Sequence, residues 1–295
     1  MPIGNKIKRS EVYHKHKNKK EKEKTERKLK RKREAEELGT DAPPPQVPKT
    51  LDNTREADDT TVAADDEEVQ MDEDEDEFSD YFKRLKEPKI MITTRPKPSG
   101  AIYAFIKDIM AMVPNMFYYP RKTYEIRDMQ KWAANKAFTH LLIIGEKNRL
   151  VNQMLMIHLP VGPCALFKIS NYIAGEKIRG HGNSTDHNPE VILNRFTTRL
   201  GHRVGRFCGS LFSHNPEFRG RNVVTFHNQR DFVFVRFHRY MFDNNGESAR
   251  LQELGCRFTL KLKWLMSSNF DPEHAEYEWI HKRKEMDASR RKFAL

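Results

Sequence analysis

The chain has 295 residues, 32% of them charged and 37% hydrophobic, with a formal net charge of +11 and 18 Phe, 9 Tyr and 3 Trp. An average domain is about 25% charged, so one uniform globule is excluded: part of the chain is expected to stay in water while the aromatic residues build a core elsewhere. No run approaches the roughly 18 apolar residues of a membrane helix, the start MPIGNKIKRS lacks a secretory apolar region, Pro2 replaces the glycine of a myristoylation signal, and Cys164, Cys208 and Cys256 have no CxxC spacing, which argues against membrane, secreted, disulfide-framed and zinc-knuckle proteins.

Residues 1–40 are dominated by Lys, Arg and Glu and are expected to be a disordered or conditionally helical basic tail. Within it Arg27, Lys28, Lys30, Arg31, Lys32 and Arg33 form a dense block of the kind read by nuclear import receptors or by phosphate backbones. Residues 41–87 read as an acidic, disordered linker: Pro43, Pro44, Pro45 and Pro48 break helices, and from Asp52 to Asp80 fifteen acids face one base. Such a tract serves as a solubilising spacer or mimics nucleic acid and screens basic surfaces. Phe78, Tyr81, Phe82 and Leu85 at near-helical spacing predict a short amphipathic turn docked on the next domain.

A domain is expected over 88–275, followed by a basic extension over 276–295. From Pro88 to Leu295, 33 Lys and Arg stand against 18 Asp and Glu, a surplus of 15 that the acidic tract conceals. A compact domain with that surplus is expected to meet a polyanion, RNA or DNA. Strands are predicted at Lys89–Thr94, Met116–Tyr119, Thr139–Ile144, Gln153–Leu159 and Ala165–Ile169. Helices are predicted at Ala101–Met112 and about Tyr124–Ala137, which makes an α/β layer. Asn188-Pro189 reads as a cap opening a helix that runs to about Phe212. Further strands are predicted at Asn222–His227, Asp231–Phe242 and Arg257–Leu265, with a turn at Asp243-Asn244-Asn245-Gly246.

On the expected 190–212 helix, Phe196, Leu200, Val204, Phe207, Cys208 and Leu211 hold an apolar stripe beside a cationic stripe of Arg195, Arg199, His202, Arg203 and Arg206. Clustered bases repel one another unless anions neutralise them. Gly201, Gly205 and Gly209 each cost about 0.8–1 kcal/mol relative to alanine in a helix interior, so a partner must pack closely on them, inside the domain or as an RNA strand. After Arg230, strand periodicity puts Phe234, Arg236, His238 and Tyr240 on one face, next to Arg239. The last strand turns Phe258, Leu260, Leu262 and Trp264 one way and Arg257, Thr259, Lys261 and Lys263 the other. Rings interleaved with cations suit RNA, whose unpaired bases stack while its phosphates take the charge. If the two strands pair, their basic faces join, and with the arginine helix they make one continuous patch. No phosphate-binding glycine loop, HExxH or GxSxG motif is present. His181, Asp186 and His187 could serve as acid, base and metal ligand of a nuclease, but histidines in glycine-rich loops more often cap or hydrogen bond, and His227 and His238 are more readily contacts to RNA or neighbouring backbone.

ILNRFTTRLGHRVGRFCGSLF, VVTFHNQRDFVFVRFHRYMF and LQELGCRFTLKLKWL, in this order, resemble the Brix-domain family of ribosome-assembly proteins. The resemblance covers about Pro88 to Phe270. It implies an α/β domain of two similar halves, each like the anticodon-binding domain of some aminoacyl-tRNA synthetases. It also implies a nucleolar, non-enzymatic factor without cofactor or metal that binds precursor rRNA of the large subunit. A partner assembly factor of the maintenance-of-killer family is implied too, with neither a membrane nor a small-molecule substrate. The family's TRLG helix matches Thr198-Arg199-Leu200-Gly201 and its NQRD turn matches Asn228-Gln229-Arg230-Asp231. Cys256 stands where the family usually has proline. The expected RNA contacts are Arg195, Arg199, Arg203, Arg206, Arg230, Arg236, His238, Arg239, Tyr240, Lys261 and Lys263. They come from periodicity and not from the family pattern. A protein adaptor with secondary RNA contacts is the alternative, and a ribonuclease the last.

Overall fold

Lysines and glutamates four residues apart, such as Lys30–Glu34 at 3.9 Å and Lys32–Glu36 at 3.6 Å, support one long helix, α1 (Lys6–Leu38), with no buried side chain among its described residues. It is the helical alternative of the expected basic tail, and it lies in a unit that ends at Asn53. The structure is a computed structural model. It describes residues 6–38, 47–48, 50, 53–56, 59–63, 66–243, 246, 248–274, 276–286 and 291–295, so Pro43, Pro44, Pro45, Asn244 and Asn245 lie outside the described residues.

The second unit runs from Thr54 to Leu295 and includes part of the expected linker and the expected extension. Asp66 caps α2 (Glu67–Glu75) by accepting the amide hydrogens of Glu68 and Val69, and α3 (Ser79–Phe82) follows. Phe78 and Tyr81 are fully buried, as the amphipathic spacing predicts, whereas Leu85 is exposed. Residues 66–82 are therefore part of the folded domain and not a spacer.

The first half of the domain follows the apolar periodicity closely. It contains β1 (Ile90–Thr94), α4 (Gly100–Met112), β2 (Met116–Tyr118), α5 (Ile126–Asn135), β3 (His140–Lys147), β4 (Leu150–His158) and β5 (Cys164–Ile173). The second half opens with a correction. Glu190–Asn194 is a strand, β6, parallel to β7 (Asn222–Gln229), and the helix α6 spans only Arg199–Gly209. Val191, Ile192 and Leu193 favour a strand, Arg195 turns the chain at φ +63°, and the working cap is Thr198, whose Oγ1 accepts the Gly201 amide at 2.9 Å. The chain continues through β8 (Phe232–Phe242), β9 (Ala249–Glu253), β10 (Arg257–Met266), β11 (Tyr277–Ile280) and α7 (Arg283–Met286).

One sheet runs in the order β2-β1-β3-β4-β5-β10-β8-β7-β6, with β9 on β8 and β11 on β10. The pairs β1–β3 and β6–β7 are parallel, while β3–β4, β4–β5, β7–β8 and β8–β10 are antiparallel. Each half thus runs strand, helix, strand, strand, strand, with β2 and α5 inserted in the first and β9 in the second. The antiparallel pair β5–β10 joins the halves. A single core cluster packs α4 and α6 on one side of this sheet, from Ile90 and Phe105 through Phe167 to Phe207 and Val235. Alternate residues, including Met91, Leu141, Ile157 and Cys164, pack with Met129 and Ala133 of α5 on the other side.

Candidate nucleic-acid interface

α6 shows what its unusual composition is for. Val204, Phe207, Cys208 and Leu211 enter the core. A Cβ on Gly201 would lie 3.0 Å from the Leu295 backbone, one on Gly205 3.2 Å from the Phe196 ring, and one on Gly209 2.9 Å from Phe82. The glycine strip is filled from within the domain. The cationic stripe is filled too, by the acidic segment. Arg199 meets Glu68 at 2.5 Å, His202 meets Glu73 at 2.7 Å, and Arg203 meets Glu77 at 2.9 Å and Glu278 at 2.6 Å. Arg206, 8% exposed, makes a bidentate pair with Asp76 at 2.6 and 2.7 Å and stacks on Phe82 at 4.3 Å. Burial on its own would lower the Arg203 guanidinium, but its bonds to Glu278 and Glu77 hold it above the ordinary range, and the Glu68 bond raises Arg199. The anions that neutralise this helix are the chain's own.

The two motifs expected to mark the family are spent on closure. Thr198 Oγ1 donates to the Ala294 carbonyl at 2.7 Å. Asn228 Nδ2 donates to the Arg195 carbonyl at 3.0 Å. The Asp231 carboxylate accepts the amides of Ala294 and Leu295 at 2.8 Å, and burial raises its pKa. Arg195 lies on the β6–α6 turn and Arg230 is exposed on the β7–β8 turn at φ +53°, so neither belongs to the helix stripe.

The other side of the second half carries the remaining residues. The faces of β7 and β8 that hold Val233, Val235 and Phe237 belong to the core, so Phe232, Phe234, Arg236, His238 and Tyr240 point the opposite way, into neither core cluster. The sheet register aligns them with side chains of the neighbouring strands. Phe234 lies between His227 of β7 and Thr259 of β10, Arg236 pairs with Thr225, and Lys261 faces Lys168 of β5, which in turn faces Gln153 of β4. Lys261 stands 5.0 Å over the Phe232 ring, and Arg236 5.8 Å over Phe234. Two lysines directly opposed across strands repel each other. Burial and then Arg257 lower the Arg236 guanidinium, whose Nη1 donates to the Val235 carbonyl at 2.8 Å. Burial also lowers His238, against the pull of Glu253 at 3.8 Å. Tyr240 donates to Glu190, which raises its pKa.

The expected pairing of the RFHRY strand with the last strand is therefore present, and it sets Arg236 and Lys261 on the same side of the sheet, either side of the Phe234–Thr259 pair. The single patch is not: α6 and its arginines sit on the core side of the sheet and Arg236 and Lys261 on the other. Arg239 belongs to the α6 side of β8 and reaches the Asn183 carbonyl at 3.1 Å. A register shift between Leu262 and Trp264 carries Trp264 to the α5 side and leaves Lys263 in the bulge, its Nζ 3.5 Å from His281. His181 Nδ1 lies 3.0 Å from the Ile178 carbonyl, and the ligand atoms of His181, Asp186 and His187 are not gathered within 4.8 Å of one another.

The Brix domain matches residues 95–264 of the chain. Ribosome production factor 1 of Danio rerio is 48% identical over 253 residues, covering 85% of this chain and 76% of that protein. The protein of the same name from Saccharomyces cerevisiae is 40% identical over 252 residues, covering 84% and 81%. Among solved structures, a probable ribosomal biogenesis protein from Aeropyrum pernix aligns with 59% of this chain and 96% of its own, at 15% identity and a TM-score of 0.44.

Proposed function

The chain belongs to the Brix-domain family of ribosome biogenesis factors, and we propose that within that work it holds precursor rRNA of early large-subunit particles on the open sheet face of its second half. The observation that carries this reading is the alignment of Phe232, Phe234, Arg236, Lys261 and Lys168 on the side of the sheet away from α4 and α6, with Phe232 and Lys168 exposed and the other three half-buried. Two lysines and an arginine are gathered there beside rings, the combination that suits a chain of phosphates and unpaired bases. His238 and Tyr240 border this face. Arg199, Arg203 and Arg206 meet RNA only where phosphate replaces the carboxylates of residues 66–77, and Arg195, Arg230, Arg239 and Lys263 remain peripheral contacts of the same proposal. Holding RNA requires no bond-making, so the reading is non-enzymatic. The exposed block Arg27–Arg33 on α1 is the proposed nuclear import signal, with the nucleolus as destination, and a maintenance-of-killer-type factor is the proposed protein partner.

The experiment is titration of labelled single-stranded RNA with the full chain at several salt concentrations. Each phosphate contact contributes a slope of about 0.7 in log affinity against log salt on single strands. Arg236→Glu with Lys261→Glu is expected to weaken binding at least ten-fold and to flatten the slope by about 1.4, that is two contacts. A salt response that is flat in the parent chain sinks the proposal.

A further inference from the structure

No contact proposed above involves the segment from Met116 to Phe138, yet it holds four of the five exposed aromatic side chains between residues 90 and 173: Phe117, Tyr119, Tyr124 and Trp132. Their contacts form two groups, joined through α5. The Tyr124 and Trp132 rings meet edge to face at 5.0 Å. One helical turn beyond Trp132, Lys136 places its ammonium 5.6 Å from the centre of the Tyr119 ring. Tyr119 and Phe117 both lean on Phe138, at 5.9 and 6.1 Å, and Lys89 stands 4.5 Å over Phe138. The four outer rings are between 38% and 46% exposed. Each is braced on one side and open on the other, as a stacking platform requires.

The charges around this band differ from those on α6. Among the described residues, Arg127 pairs with Asp271 and Glu273, but Lys89, Arg121, Lys122, Lys131 and Lys136 enter no ion pair. Arg121 instead donates from Nε to the Tyr124 carbonyl at 3.1 Å, tying the loop to the ring cluster. The core of a protein–protein interface is depleted of lysine, whereas here lysines stand over the rings themselves. Rings with one free side and cations without carboxylates together match a chain of bases and phosphates. The band also faces the same way as the open sheet face, because Lys168 follows Cys164 and Leu166 in strand alternation and those two pack under α5.

We infer that the α5–β2 band is a second nucleic-acid site, specific for unpaired nucleotides of RNA, with bases stacked on Tyr119, Tyr124 and Trp132 and phosphates held by Lys122, Lys131 and Lys136. This rests on the reading that the chain binds RNA, and it extends the preference for unpaired bases from the sheet face to a second place on the same side of the sheet.

The test compares a uridine-rich single strand of about 20 nucleotides with a blunt RNA duplex of the same length, using the full chain. One stacked base is worth about 1–3 kcal/mol, or roughly five- to 150-fold. Tyr124→Leu with Trp132→Leu is expected to weaken single-strand binding about ten-fold or more and duplex binding less than two-fold. Trp132→Phe keeps a ring and the packing, so it should bind like the parent while the tryptophan quenching caused by RNA diminishes. Unchanged single-strand affinity in the folded double variant, an equal loss on both RNAs, or unchanged quenching in Trp132→Phe overturns the site. If the band variants bind RNA normally but lose a co-purifying protein, the band is a protein-docking surface instead. A parent chain that binds neither RNA defeats the reading of the open sheet face as well. Loss on Arg236→Glu and Lys261→Glu, without loss on the band variants, defeats the band alone.

Discussion

Two histidines sit where α3, the sheet and α6 meet, and their chemistry makes this junction sensitive to acid. His158 Nδ1 lies 2.8 Å from the Gly162 carbonyl, which only accepts, so this nitrogen carries the hydrogen and Nε2 accepts from the Tyr81 hydroxyl at 3.0 Å. The Ser210 hydroxyl donates to the Phe207 carbonyl at 2.8 Å, leaving its oxygen to accept from His140 Nε2 at 3.0 Å. The two rings are 5.0 Å apart. Burial first, then Lys86 and for His140 also the neighbouring His158, hold both below the ordinary value of 6.5, and burial pushes Tyr81 up to about 12. Because the folded values are lower than the unfolded ones, the neutral pair stabilises the fold above about pH 6.5, and that contribution is lost as the pH falls below it. Thermal midpoints should therefore drop between pH 7 and pH 5, and His158→Gln should flatten the drop. A midpoint independent of pH across that range would show that neither ring is held neutral.

The acidic segment is the element that the sequence disguised. Its bidentate Asp76–Arg206 pair has side chains only 11% and 10% exposed, beside the buried rings of Phe78 and Tyr81. Removing one partner from such a pair leaves a buried charge and costs about 3–5 kcal/mol. Asp76→Ala is thus expected to destabilise the domain by about 3 kcal/mol, moderated by Glu73, which also reaches Arg206 at 3.4 Å. Denaturant midpoints check this, and a loss below about 0.5 kcal/mol would mean that the segment is only loosely applied. Periodicity could not reveal α2, because its nine residues contain a single buried apolar side chain, Val69, in a run that reads as self-repelling. β1, α4 and β3 were legible for the opposite reason: their apolar residues recur at strand or helix spacing and all serve packing. Asn188-Pro189 imitated a helix cap, while the Thr198 cap was hidden within the helix expected there. β9 and β11 escaped notice because ARLQE and YEWI have too few buried residues to alternate. Of the candidate contacts, the placement of Arg236 and Lys261 on one face of paired strands was readable from alternation. The split of the basic residues between two sides of the sheet was not, since it depends on which side α6 packs.

At the scale of the whole chain, two kinds of stability are present in one polypeptide. α1 is a 33-residue helix with no buried side chain among its described residues, so little beyond propensity and exposed ion pairs supports it. The Thr54–Leu295 unit is different. β5 and β10 pair along eight registered positions from Arg257–Ile173 to Met266–Cys164, and one core cluster includes Ile90 and Phe105 of the first half together with Phe207, Val235 and Leu260 of the second. Neither half can separate without exposing that shared core, so both are expected to unfold in one step despite their repeated topology. Heating should produce an early, shallow loss of far-ultraviolet helical signal with no change in tryptophan fluorescence, and then one cooperative transition seen by both probes. Removing residues 1–53 should abolish the early phase and leave the later midpoint in place. Two separate fluorescence transitions in that shortened chain, one following Trp132 and the other Trp279, would show that the β5–β10 seam joins two independent domains.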